Sequence, residues 1–159
     1  MQTPEITDAL HATDQAIARL DETLAGLSDG DLHLAHRDGG WTPAQLVSHI
    51  NMSVLLWTAM LTRAANDPDL TFVLREEIGH DVFGYPPPRI EVARAQLASA
   101  RRTLATCVPA VEQATLEREI EIPDLGTLTM AAWTPPVLGH AAGHCEQILD
   151  VLRDRGAIQ

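Results

Sequence analysis

Lysine is missing from this chain altogether. All eleven cationic side chains are arginine, set against 22 Asp and Glu, for a formal net charge of -11. Such a surface repels a phosphate backbone, and no basic patch interleaved with aromatics occurs, so nucleic acid is not an expected partner. Cysteine is scarce. Cys107 and Cys145 are too few for a disulfide framework and lack metal-ligand spacing, which makes the cytoplasm the expected compartment. Aromatics are only 4% of residues, so the core must be built from Leu, Ala, Val and Ile, which suits helices. Long apolar runs are absent as well. The longest, around Val54 to Leu61, is too short and too polar-flanked to span a bilayer, and no membrane partner is expected. The start, Met1-Gln2-Thr3-Pro4-Glu5, has neither the basic opening nor the apolar stretch of a secretion signal. What is present is 159 residues, 45% apolar, enough for a single domain over residues 1–159.

Four amphipathic segments stand out, each with apolar residues in steps of four and three. The first carries Ile6, Leu10, Ile17, Leu20 and Leu24 behind a Thr3-Pro4 cap. The second opens on Thr42-Pro43-Ala44-Gln45, which reads as a capping box, and stops at Asn66-Asp67-Pro68. The third follows Pro86-Pro87-Pro88 and should break before Pro109. The fourth is read as starting at Thr134, followed by Pro135-Pro136, and as ending at Gly156. Four such segments predict an all-α fold, a four-helix bundle. Between the third and fourth, residues 116–122 alternate apolar and charged side chains before Pro123-Asp124, so a short hairpin is expected there.

The chemistry rests on histidine. His140 and His144 lie four apart, and about 400° of helical turn puts them on nearly one face. His49 lies early in the second segment. A histidine on an apolar helix face is most often a satisfied core residue, but three features favour metal ligation. His144 falls on the apolar seam, and His140 and His49 flank theirs; an unpaired polar group buried there costs about 1–3 kcal/mol. Small residues, Gly139, Ala141, Ala142 and Gly143, surround the pair, as if close approach or room for a ligand outweighed helix propensity. The depths agree too. His49 lies about 10 Å below the Thr42 cap, and His140 and His144 about 9 and 15 Å below Thr134. Three rings at one level then require the second and fourth helices to start from the same end, because antiparallel helices would misalign them.

The stretches Gly40-Trp41-Thr42-Pro43-Ala44-Gln45-Leu46-Val47-Ser48-His49-Ile50 and Leu138-Gly139-His140-Ala141-Ala142-Gly143-His144-Cys145-Glu146-Gln147-Ile148 resemble the two signatures of the DinB/YfiT-like superfamily, in the expected order. The resemblance implies a four-helix bundle, often a homodimer, with a divalent metal held by His49, His140 and His144. It also implies a small-molecule substrate. Characterised members include transferases or isomerases that use a low-molecular-weight thiol; others are metal-dependent hydrolases or stress-induced proteins.

Three imidazoles leave a coordination position open to water or a thiol, which a bound cation converts to a nucleophile at neutral pH. Zn suits such ligands first, and Ni, Fe or Mn also fit. Transfer of a low-molecular-weight thiol to an electrophile is the leading expectation. Metal-dependent hydrolysis, or a non-catalytic metal-binding stress protein, are the alternatives. Gln147, three residues after His144, is a candidate for orienting a ring. Trp57, two turns beyond His49, is a candidate pocket wall, with a core role the simpler reading. His80-Asp81, with Tyr85 nearby, could move protons from a loop covering the mouth, against the plainer reading of a solvated connection. Cys145 and Cys107 read as core.

Overall fold

A computed structural model of the chain describes residues 3–67, 86–122 and 126–159. Four long helices form a bundle: α1 (Pro4–Leu24), α2 (Pro43–Asn66), α3 (Ile90–Cys107) and α5 (Met130–Asp154). A 3-10 turn, Asp29–His33, follows α1; the single turn α4 (Gln113–Leu116) and the strands β1 (Glu119–Ile122) and β2 (Gly126–Thr129) precede α5. The strands pair antiparallel, with Glu119 opposite Thr129, so the expected hairpin is present.

Local chemistry explains most boundaries. The Thr3 side chain accepts from the Ile6 amide, and Pro4 takes a first-turn position whose amide would have no helical acceptor. At α2 the capping box is complete: Gln45 N–H donates to Thr42 Oγ1 at 3.3 Å, and Thr42 N–H to Gln45 Oε1 at 2.9 Å. α3 ends at Cys107, two residues before Pro109.

α5 departs from expectation. Its cap is Thr129, which accepts from Ala132 N–H at 3.1 Å, and not Thr134. The helix runs straight through Pro135 and Pro136, while the Thr134 hydroxyl donates to the Met130 carbonyl at 2.7 Å. Prolines so far inside a helix leave the Ala131 and Ala132 carbonyls without their usual donors, a cost of about 3 kcal/mol or more. The hairpin overrides that cost locally. Thr129 is the last ladder residue of β2, and Met130 N–H donates to the Arg118 carbonyl at 2.8 Å, which fixes where the helix begins.

Cross-helix contacts give the directions. Asp14 pairs with Arg101 and Asp21 with Arg94, so α1 and α3 are antiparallel. The Thr13 hydroxyl donates to the Leu138 carbonyl and Arg19 pairs with Glu146, so α1 and α5 are parallel. α5 starts beside the end of α2, where the Arg118 guanidinium donates to the Ala64 and Asp67 carbonyls. It ends beside the approach to α2, where Asp154 accepts from Arg37 N–H. α2 and α5 are therefore antiparallel, which corrects the orientation inferred from the Thr134 cap. α3 starts again at the pole where α2 began, since Ile90 N–H donates to Asp29. The order of directions is up, down, down, up.

The core lies where the four helices face inward. Ile17, Leu20 and Leu24 of α1, Leu46 and Ile50 of α2, Leu97 of α3 and Ile148 of α5 are fully buried, each adding about 1.5–3 kcal/mol of apolar burial. α2 is long and apolar enough to cross a membrane by length and composition alone, as a bundle's core helix can be, and 56% of its apolar window is buried inside the bundle. Cys145 is fully buried as expected, whereas Cys107 is only half-buried.

Candidate metal centre

The antiparallel seam between α2 and α5 carries the three histidines. His49 is 9% exposed, two turns into α2; His140 and His144 stand one turn apart on α5, the former exposed and the latter half-buried. Their Nε2 atoms converge: His49 to His140 is 3.0 Å and His140 to His144 is 3.1 Å. One nitrogen from each ring lies within 4.8 Å of the other two. The rings stand nearly perpendicular, at 72°, 89° and 82°, so their in-plane lone pairs can aim at a common point. Antiparallel helices bring them level because His49 lies near the start of α2 and the pair lies well before the end of α5.

These residues fit a cation. Tetrahedral Zn–N bonds of about 2.0–2.1 Å would space the nitrogens about 3.4 Å apart, a few tenths of an ångström from the two separations that share His140. Gln147 Oε1 accepts from His144 Nδ1–H at 2.9 Å, which leaves the His144 Nε2 lone pair facing the cluster. Partial burial, with the His144 imidazole alongside, lowers the His140 pKa from its ordinary value and keeps that ring a neutral donor.

Trp41 completes the wall. Its ring meets His49 edge-on at 4.9 Å and stacks over His144 at 6.1 Å, with 22° between planes. It is delivered by the loop before α2, where Gly39 and Gly40 adopt φ of 94° and 102°, a region that penalises any side chain. Trp41 stands in the first family motif, but its part in the site is not evident from sequence; a tryptophan just ahead of a helix cap, in a chain with three, is the available signal.

Other candidates fall elsewhere. Trp57 is 4% exposed and packs into the core. Cys145 is enclosed and stands outside the histidine cluster, and burial pushes its thiol up to about 12, which disfavours the thiolate a nucleophile needs. Gly139 and Gly143 have open space where a Cβ would stand, so close approach is not their reason. His80, Asp81 and Tyr85 lie outside the described residues.

A family model of the DinB superfamily matches residues 12–148. This chain belongs to the DinB superfamily. Among solved structures, the DinB-like bundle is similar to YfiT from Bacillus subtilis, described as a probable metal-dependent hydrolase with an unusual four-helix bundle topology. The TM-score is 0.77 at 17% identity, over 98% of this chain and 90% of that one. It is also similar to a mycothiol-dependent maleylpyruvate isomerase, with a TM-score of 0.69 at 11% identity over 92% of this chain. The DinB domain here spans 60% of the isomerase's length. Comparison with curated protein sequences gives no match.

Proposed function

We propose that this protein is a metal-dependent enzyme that transfers a low-molecular-weight thiol to a small electrophilic substrate. The observation that carries the reading is the convergence of three imidazole nitrogens from two helices, within 4.8 Å and open to solvent on the His140 side. A divalent cation held there, Zn first, would lower the pKa of a thiol or water in the remaining position. Neutral imidazoles leave the cation's charge uncompensated, which suits an anionic co-substrate. The partner of His144 is an amide, Gln147, which neither takes nor gives a proton. A thiol that ionises on binding needs no separate base, whereas water is helped by one. The likeness to a mycothiol-dependent enzyme supports the same choice.

The likeness to YfiT over nearly the whole chain favours a second reading, hydrolysis at the same centre. Purified protein should carry divalent metal near one equivalent per chain, and His144→Ala should lose it. Metal-dependent conjugation of a thiol to an epoxide or alkyl halide supports the transferase. Ester or amide cleavage without thiol moves the assignment to a hydrolase. Bound metal that raises the melting temperature while no panel substrate turns over leaves only a binding protein. We further propose a homodimer, checked by sedimentation.

A further inference from the structure

Two ligands come from one helix and the third from another, so something must set both rings at once. Trp41 belongs to neither helix, yet its ring centroid lies 4.9 Å from that of His49 in an edge-to-face arrangement and 6.1 Å from that of His144 in an offset stack. An imidazole donates only in its own plane, so a rotation about its ring bond aims the lone pair away from the shared point. Gln147 restrains His144 from the Nδ1 side. Trp41 restrains it from the ring face, and restrains His49 as well.

The placement of Trp41 is tied down from a distance. Arg37 N–H donates to Asp154 Oδ2 at 2.8 Å, and the His36 ring lies 3.6 Å from the other carboxylate oxygen. Gly39 N–H donates to the His36 carbonyl at 2.8 Å, closing the turn that leads to Trp41. Asp154 is the last residue of α5, where an acid opposes the helix dipole. Its side chain is only 19% exposed, and it meets the loop instead of solvent.

We propose that Trp41 is the positioning residue of this centre, an aromatic backstop that holds His49 and His144 in ligating orientation and is itself tethered through residues 36–37 to Asp154. The proposal rests on the metal-site reading above. Its test is cobalt(II), titrated into the metal-free full chain and followed by visible absorption and chelator competition. Trp41→Ala should weaken binding about 10–100-fold, the range for groups that orient ligands, and should change the cobalt spectrum. Trp41→Phe should restore affinity to within about threefold and return the spectrum, because a ring face is what the site needs. Asp154→Asn, remote from the ligands, should shift both readouts in the same direction by less. A folded Trp41→Ala protein with wild-type affinity and spectrum overturns the proposal and leaves the metal site standing. Wild-type protein that takes up no cobalt sinks both. Should Trp41→Ala fail to fold, unchanged cobalt binding by Asp154→Asn overturns the tether and the proposal with it.

Discussion

The bundle has two antiparallel seams, closed in opposite ways. Between α1 and α3, Arg94 donates through Nε and Nη2 to the two oxygens of Asp21 at 2.8 and 3.0 Å, and Arg101 does the same to Asp14 at 2.7 and 2.9 Å. Each fork meets a carboxylate of opposite charge, and the seam is complete in itself. Between α2 and α5 three like groups face one another, nitrogen to nitrogen at 3.0 and 3.1 Å, and one N–H on the middle ring can satisfy only one of its two neighbours at a time. A seam of paired opposites holds two helices together; a seam of identical donors is built around a guest. Surface pairs of the first kind contribute only about 0.2–1 kcal/mol each. The second kind draws its energy from what it binds.

Substitutions separate the two seams. The largest effect is expected for His49→Ala, which should cut metal affinity by more than about 100-fold, read by metal analysis after dialysis. Chelation of the wild-type protein should come next. Loss of a ligand present at 100 times its dissociation constant removes about 2.7 kcal/mol, or roughly 5–10 °C of melting temperature in a domain of this size. His49→Ala should show no such drop. Gln147→Leu should weaken metal binding by about tenfold while changing the melting temperature of metal-free protein little. Smallest is Arg101→Ala, at about 1 kcal/mol or less with metal content unchanged. That effect has a pH signature. The hydrogen bond from Arg101 holds the Asp14 carboxyl below its ordinary value of 3.8. The pair therefore stabilises the fold above that value and loses its contribution as pH falls through the lowered one. Melting curves of wild type and Arg101→Ala should differ near pH 6 and converge in acid.

The local signals at Thr3-Pro4, Thr42-Gln45 and Pro109 were legible in sequence because capping and proline chemistry act within one turn. The hairpin was legible too, from alternation ahead of Pro123-Asp124. Thr134-Pro135-Pro136 misled for the same reason: it has the local form of a helix start, and only the docking of β1 against β2 shows that the helix has already begun. Helix direction was illegible, because it depends on contacts such as Asp154 with Arg37, 117 positions apart. The three histidines were found from spacing and family motif. Trp41 was not assigned a role, since nothing local says that a residue ahead of a cap folds back over the rings.

His49 and His140 are separated by 91 positions, and the last pair of imidazoles arrives only with α5. A chain synthesised only as far as the hairpin holds one of the three. Whatever ion the finished protein takes, its capture is deferred until the closing helix has docked, so uptake doubles as a report that assembly is finished. Closing so wide a loop is slow compared with forming any single helix. Loading with metal should consequently trail the appearance of helical signal during refolding, and the interval between them measures the docking of the final helix.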